Sequence, residues 1–273
     1  MDKPTLDSRD KPSRRRLPGA RYRDALRRRR VRHSYRGDRV VCPCCEGRWE
    51  RFVPDWNRPD AICPGCGAHE RQRALWLYLD RRLDVRTRHA RLLHVSPEYS
   101  LERRLRSLPR IDYISADIDP GRAEVAADIG ALPFRPESFD LILCSHVLEH
   151  VEDDVGAMRE LARVLAPGGT VLVMVPVDLS RGQTYEDPEV RTPQEREAAY
   201  WQADHVRLYG LDLEQRLAAG GLGVKRDRFV AGLSQATRVR HGLNERDDVY
   251  AATKPIAAPL RDESLAVREP LGD

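Results

Sequence analysis

The stretch "FDLILCSHVLEHVEDDVGAMRELARVLAPGGTVLVMVP", Phe139 to Pro176, reads as strand, turn, helix and strand. Its two ends, "FDLILCS" (139–145) and "TVLVMVP" (170–176), are short and almost continuously apolar, as strands buried on both faces of a parallel sheet are. Between them Val155, Met158, Leu161 and Leu165 make one helical stripe. Asp153 or Asp154 can cap its start, and Pro167-Gly168-Gly169 is expected to end it.

The same alternation extends outward. "RLLHV" (91–95) and "IDYISAD" (111–117) precede the stretch as strands, and "GVKRDRFV" (223–230) and "DVYAATK" (248–254) follow it. The last two have a short connection without a clear helix, which predicts an antiparallel pair at the sheet edge. Strands alternating with helices predict an α/β domain with helices on both faces of a mostly parallel sheet. At 273 residues the chain holds one such domain and a small appendage. No run of 18 apolar residues and no apolar leader occurs, so neither a membrane span nor a secretory signal is indicated, and a cytoplasmic location is expected.

Charge is uneven. Residues 1–38 hold 14 Lys or Arg against 5 Asp, a local +9, so with a net charge of +4 the remainder carries −5. This segment is expected to be a solvated, partly disordered leader, with contact to RNA or an acidic partner as the alternative. The segment 255–273 is expected to be a loose tail.

Five of six cysteines lie close together, in "CPCCEG" and "CPGCG". With Cys42, Cys45, Cys63 and Cys66 the pattern is C-x2-C-x17-C-x2-C, a spacing that turns four thiolates toward one tetrahedral structural zinc. An iron-sulfur cluster or disulfides are the alternatives, and Cys44 is a spare thiol or a substitute for Cys45. These residues predict a zinc ribbon over 39–69. A connecting helix follows over 70–88, with Ala74, Leu75, Tyr78, Leu79 and Leu83 inward and arginines on the other face, and the main domain spans 89–254.

"DIGALPFRPESFDLILCSHVLEHVEDDVGAMRELARVLAPGGTVLVMVP", Asp128 to Pro176, resembles the central block of class I S-adenosylmethionine-dependent methyltransferases of the small-molecule type. An Asp before "LPF", "SFD" opening a strand, "HVLEH" after it and "PGG" before the next strand carry the likeness. The ribbon, with "YEDPEVRTPQEREAAYWQADHVRLYG", is similar to a branch with an N-terminal zinc ribbon. The resemblance implies a Rossmann-like seven-stranded methyltransferase sheet with an antiparallel final strand. It also implies S-adenosylmethionine as cofactor.

Members of that family usually carry a Gly-x-Gly turn after the first strand, where this chain has "HVSPEYS", His94 to Ser100. His94, Ser96 and Glu98 stand in the cofactor loop. Glu98 is a candidate partner for the cofactor's ammonium, and Pro97 fixes the turn. Asp117 resembles the residue that accepts the ribose hydroxyls, and Asp128 the one that accepts the adenine amino group, with Ile129 and Leu132 as apolar wall. Cys144, Ser145 and His146 are expected along the cofactor and methyl-transfer pocket.

The 33-residue connection Val177 to Tyr209 has the length of a lid or substrate wall. Its end supplies His205 as candidate base, Asp204 to orient it, and Arg207 and Tyr209 as candidate substrate contacts, with His150 a further catalytic candidate. A hydrogen-bonded latch over 204–209 is the alternative. The expected reaction is methyl transfer to an oxygen or nitrogen of a small-molecule or saccharide-type acceptor. RNA methylation using the ribbon and leader, or a non-catalytic binding protein, are the competing readings.

Overall fold

The structure, a computed structural model, describes residues 30–55 and 58–256. The expectations for 1–29 and for the tail from 257 lie outside the described residues. Residues 30–34 are helical, and Val31 and Tyr35 are buried, so ordered chain reaches into the segment assigned to the leader. Strands β1 (Arg36–Val41) and β2 (Arg48–Trp49) flank the first cysteine knuckle. Strands β3 (Val53–Asp55) and β4 (Arg58–Ile62) lead into the second. Each pair is antiparallel.

Helix α1 (Glu70–Arg82) follows. It is buried from Gln72 through Leu79, on more than the one predicted stripe. Arg73 breaks the expectation that the arginines face outward, because it is 0% exposed. Its guanidinium lies 3.9 Å from the Phe52 ring centre. It donates to the carbonyls of Ala61 and Ala68 (both 2.7 Å), Asp60 (3.2 Å), His241 (2.8 Å) and Gly242 (2.6 Å). A buried guanidinium is tolerated where every N–H finds an acceptor.

The main sheet then builds from β5 (Ala90–Val95), β6 (Ile111–Asp117), β7 (Val125–Ala126), β8 (Phe139–Ser145), β9 (Leu165–Met174), β10 (Gly223–Asp227) and β11 (Val249–Thr253). Their order is β10-β11-β9-β8-β5-β6-β7. β11 runs antiparallel to both neighbours and the other pairings are parallel. This is the seven-stranded sheet expected. Alternation along the strands sends Leu92, Leu141, Leu143, Leu172 and Met174 to one core with α1 and the ribbon. Leu93, Val95, Ile142, Cys144, Val171 and Val173 go to the other. The ribbon therefore shares a core with the sheet.

Helices α2 (Tyr99–Leu105), α3 (Asp154–Val164), α4 (Pro193–Tyr200), α5 (Leu213–Ala219) and α6 (Gln235–His241) complete the described elements. Two of them correct the sequence reading. α4 lies inside the 33-residue connection, started by Thr192 and Glu195 in a capping box. α6 occupies the connection expected to lack a helix. It buries no residue and leaves Val239 63% exposed, so it writes no apolar periodicity. Pro167-Gly168-Gly169 does not end α3, which stops at Val164. The three residues lie in β9, where the register to β8 slips between Phe139↔Leu165 and Leu141↔Thr170. Among the described residues no helix is long and apolar enough to cross a membrane.

Candidate active site

The carboxyl ends of β5, β6 and β8 meet where the strand order reverses, the place where open α/β sheets bind ligands. After β5 the chain turns at Ser96, whose φ of 48° is the left-handed conformation that glycine usually supplies. The Ser96 amide donates to the Ala116 carbonyl at 2.8 Å and pins the turn to β6. Ser100 Oγ donates to Gln72 Oε1 at 3.0 Å, and the same oxygen accepts the His69 amide at 2.9 Å. The ribbon's helix thus braces the loop that lacks glycines.

Under this loop His94 is fully buried, with both ring nitrogens turned to protein partners. Its Nε2 lies 3.0 Å from Glu98 Oε2 and its Nδ1 3.0 Å from the Tyr113 hydroxyl. Burial opposes ionisation of Glu98, but the His94 hydrogen bond and charge outweigh it and hold the carboxyl below its ordinary range. Glu98 Oε1, Asp117 Oδ2 and Ser145 Oγ are buried without hydrogen-bond partners. These polar atoms at three adjacent strand ends, Asp117 Oδ2 with the Arg122 guanidinium 3.6 Å away, fit a zwitterionic nucleoside ligand, which would complete their bonding. Asp117 Oδ1 accepts the Asp119 amide at 2.9 Å. Asp128 is exposed, with Oδ1 held by the Gly130 amide at 2.8 Å, beside buried Ile129 and Leu132. Cys144, expected along the pocket, is fully buried among the core residues on one face of the sheet, where burial, with the charges of Glu149 and Glu98 adding, pushes its thiol up.

The turn after β8 carries His146, at a φ of 54°, and a short 3-10 helix, Leu148–His150. His146 Nδ1 stands 3.0 Å from Oε1 of Glu149, a carboxylate that is 1% exposed and whose Oε2 has no partner. Burial works against its charge, and the His146 imidazole more than compensates, so Glu149 stays below the ordinary range. Sequence reasoning passed over Glu149, although its place in "HVLEH" was the available signal.

The end of the long connection folds back onto this turn, with the Val206 amide donating to the Glu149 carbonyl at 2.9 Å. His205 is 2% exposed, and its Nδ1 faces the Tyr200 carbonyl at 2.9 Å. Its ring packs edge-on against His150, centres 4.7 Å apart. Burial pushes the His205 pKa down, favouring the neutral ring. His150 Nδ1 faces the carbonyl of Asp204 at 3.1 Å, while the exposed Asp204 carboxylate lies 3.5 Å from it. His150, Asp204, His205 and Glu149 are thus brought together.

Arg207 and Tyr209 correct the expectation of substrate contacts. Arg207 is 3% exposed and donates to the carbonyls of Leu148 (3.0 Å), Val151 and Glu152 (2.8 Å) and to Glu186 (2.9 Å). Tyr209 is fully buried and donates to Asp154 Oδ2 at 2.8 Å. Asp154 is also held by two Arg216 bonds of 2.9 and 2.6 Å, and Asp153 does the helix capping. These residues latch the connection over the strand ends, the alternative weighed for 204–209.

Away from the sheet, Cys42 and Cys66 stand with sulfurs 3.7 Å apart, as do Cys45 and Cys63, and all four lie within 4.8 Å of one another. Tetrahedral zinc–sulfur bonds of about 2.3 Å require sulfurs about 3.8 Å apart, so the donor set fits that metal. Cys44 stays outside the cluster, its thiol 3.5 Å from the Gln72 carbonyl.

Residues 92–173 match the model of a family described as a methyltransferase domain. A demethylmenaquinone methyltransferase of Mycobacterium sp. (strain KMS) is 46% identical over 50 residues, 18% of this chain and 22% of that protein. A probable tRNA methyltransferase 9B of Mus musculus is 37% identical over 68 residues, 24% of this chain and 15% of its own length. The chain thus spans less than a quarter of these two relatives. A solved S-adenosylmethionine-dependent methyltransferase from Mesorhizobium loti superposes with a TM-score of 0.46 at 16% identity, over 63% of this chain and 96% of that one. Residues 92–173 thus carry the match to a methyltransferase domain, and they span β5 to β9 of the seven-stranded sheet.

Proposed function

We propose that the protein transfers a methyl group from S-adenosylmethionine to an oxygen or nitrogen of a small-molecule or saccharide-type acceptor. The observation that carries the reading is the set of orphaned atoms Glu98 Oε1, Asp117 Oδ2 and Ser145 Oγ at adjacent strand ends. Glu98 takes the ammonium, Asp117 the ribose hydroxyls, and Asp128 with Ile129 and Leu132 the adenine. The ligand's sulfonium supplies an electrophilic methyl when bound. The chain's part is then alignment and removal of the acceptor's proton. His150 and His146, whose side chains are 31% and 28% exposed, are the imidazoles an acceptor reaches, with His205 and Glu149 behind them. The latched connection over the strand ends suits a small acceptor. RNA would draw on the basic segment before residue 30, and salt-sensitive RNA binding lost on its removal would favour that acceptor. Cys42, Cys45, Cys63 and Cys66 hold a structural zinc in this reading, closed to substrate.

The test is calorimetric titration of zinc-loaded protein with S-adenosylmethionine and S-adenosylhomocysteine. Asp117→Ala and Asp128→Ala are expected to weaken binding roughly 10- to 100-fold, the loss of one charge-assisted contact. Folded wild-type protein that binds neither ligand overturns the reading.

A further inference from the structure

We propose that Glu149, His150 and His205 bind a divalent transition-metal cation at the mouth of the methyl-transfer pocket, a site separate from the four cysteines. One ligand atom from each of the three lies within 4.8 Å of the others. Three features fit the cluster to a cation.

The first is the carboxylate. Glu149 is 1% exposed, and the ion pair it makes is with His146 Nδ1, 3.0 Å from Oε1, which leaves Oε2 buried without a partner. A buried carboxylate oxygen with an unmet lone pair favours a nearby cation. The second is the tautomers. The Nδ1 atoms of His150 and His205 both face backbone carbonyls, of Asp204 and Tyr200. Carbonyls only accept, so Nδ1 carries the hydrogen on each ring and Nε2 keeps its lone pair. This is the outer-shell arrangement that orients metal-binding histidines. The third is the openness. His150 is 31% exposed whereas the other two are buried, so ligands from the protein fill one side and leave coordination positions toward the acceptor. Two imidazoles and one carboxylate with open positions suit zinc, manganese or ferrous iron better than calcium or magnesium.

The site is assembled from distant parts of the chain. Glu149 and His150 come from the turn after β8 and His205 from the end of the long connection, clamped by the Val206 amide and by Arg207. Only the latched connection brings the third ligand in.

The chemistry rests on the methyltransferase reading. A hydroxyl of the acceptor takes an open position, and the cation's charge favours loss of its proton to solvent. The acceptor oxygen then forms a bond to the methyl carbon as the carbon–sulfur bond breaks, its electron pair returning to sulfur. The acceptor class is therefore a hydroxylated small molecule.

Zinc-loaded protein is titrated with Mn2+, with bound manganese read by electron paramagnetic resonance and zinc by elemental analysis. The expected result is manganese bound alongside the cysteine-held zinc, with imidazole nitrogen couplings in its spectrum. Glu149→Gln and His205→Gln should weaken it by at least about tenfold while zinc is retained. One zinc per chain together with absence of manganese and of added Co2+ overturns the proposal, as do manganese spectra without nitrogen coupling, a signature that needs no variant. S-adenosylmethionine titration of the same samples separates the two readings. Cofactor affinity without a second cation sinks this site alone, and a bound cation without cofactor affinity sinks the methyltransferase reading alone.

Discussion

Arg73 shows how much one side chain can hold. Five backbone carbonyls from β4, the second cysteine knuckle and the end of α6 converge on its guanidinium. Its position at the C-terminus of α6 also places a cation where that helix exposes its carbonyls. Arg73→Met would leave those acceptors buried without donors, and a loss of about 3–5 kcal/mol in urea unfolding is expected. Asp247 works the other way. Burial pushes its carboxyl up to about 7, with the charge of Glu70 adding to the effect, and Oδ2 has no partner. Because the folded state holds this proton more tightly than the unfolded chain, the stabilisation is complete below about pH 4. It is lost as pH rises to about 7. Asp247→Asn should therefore raise the urea midpoint at pH 8 and give no gain at pH 4, as parallel titrations at the two pH values will show.

At the scale of elements, the cofactor loop and the long connection are each held from outside. Gln72 of α1 accepts from Ser100, so the ribbon's helix fixes the turn that Ser96 makes without glycine. The connection is held by Arg207, Arg216 and Tyr209 around Asp154 and Glu186. Arg207→Ala should release it. Proteolysis between 178 and 206 is expected to rise by at least about tenfold while the sheet stays resistant. The sheet was legible because its strands are short apolar runs alternating with helical stretches. α4 was marked by Thr192 and Glu195 but passed over, and α6 left no apolar stripe to find. His205 was recognisable as a polar residue near a lid. That Cys144 is buried in the core and Arg207 is bound to the carbonyls of Leu148, Val151 and Glu152 depends on pleat phase and on partners 50 or more residues away, which apolar runs do not encode.

For the molecule as a whole, the ribbon and the sheet share one core, running from Val31 and Phe52 through Trp76 to Leu141 and Met174. Removing metal from the cysteines should therefore reach the active site. With a strong chelator, the ribbon is expected to unfold, α1 to lose its support, and affinity for S-adenosylmethionine to fall, although none of the four ribbon cysteines belongs to the sheet. Hydrogen exchange on α1 and on 96–105, with calorimetry before and after chelation, checks this. Unchanged affinity would show that the sheet holds its cofactor loop alone.

The same guanidinium has a bearing on biosynthesis. Arg73 waits for His241 and Gly242, 168 and 169 positions further along the chain. At about 5–20 residues per second a ribosome needs on the order of 10–30 s to reach them. Through that interval the four cysteines can already meet, but the helix has no strands to lie on and its arginine has the carbonyls of Asp60, Ala61 and Ala68 alone. Docking of the ribbon is thus a late event of synthesis, and a translation pause shortly after residue 73 leaves the helix's apolar side open to chaperones.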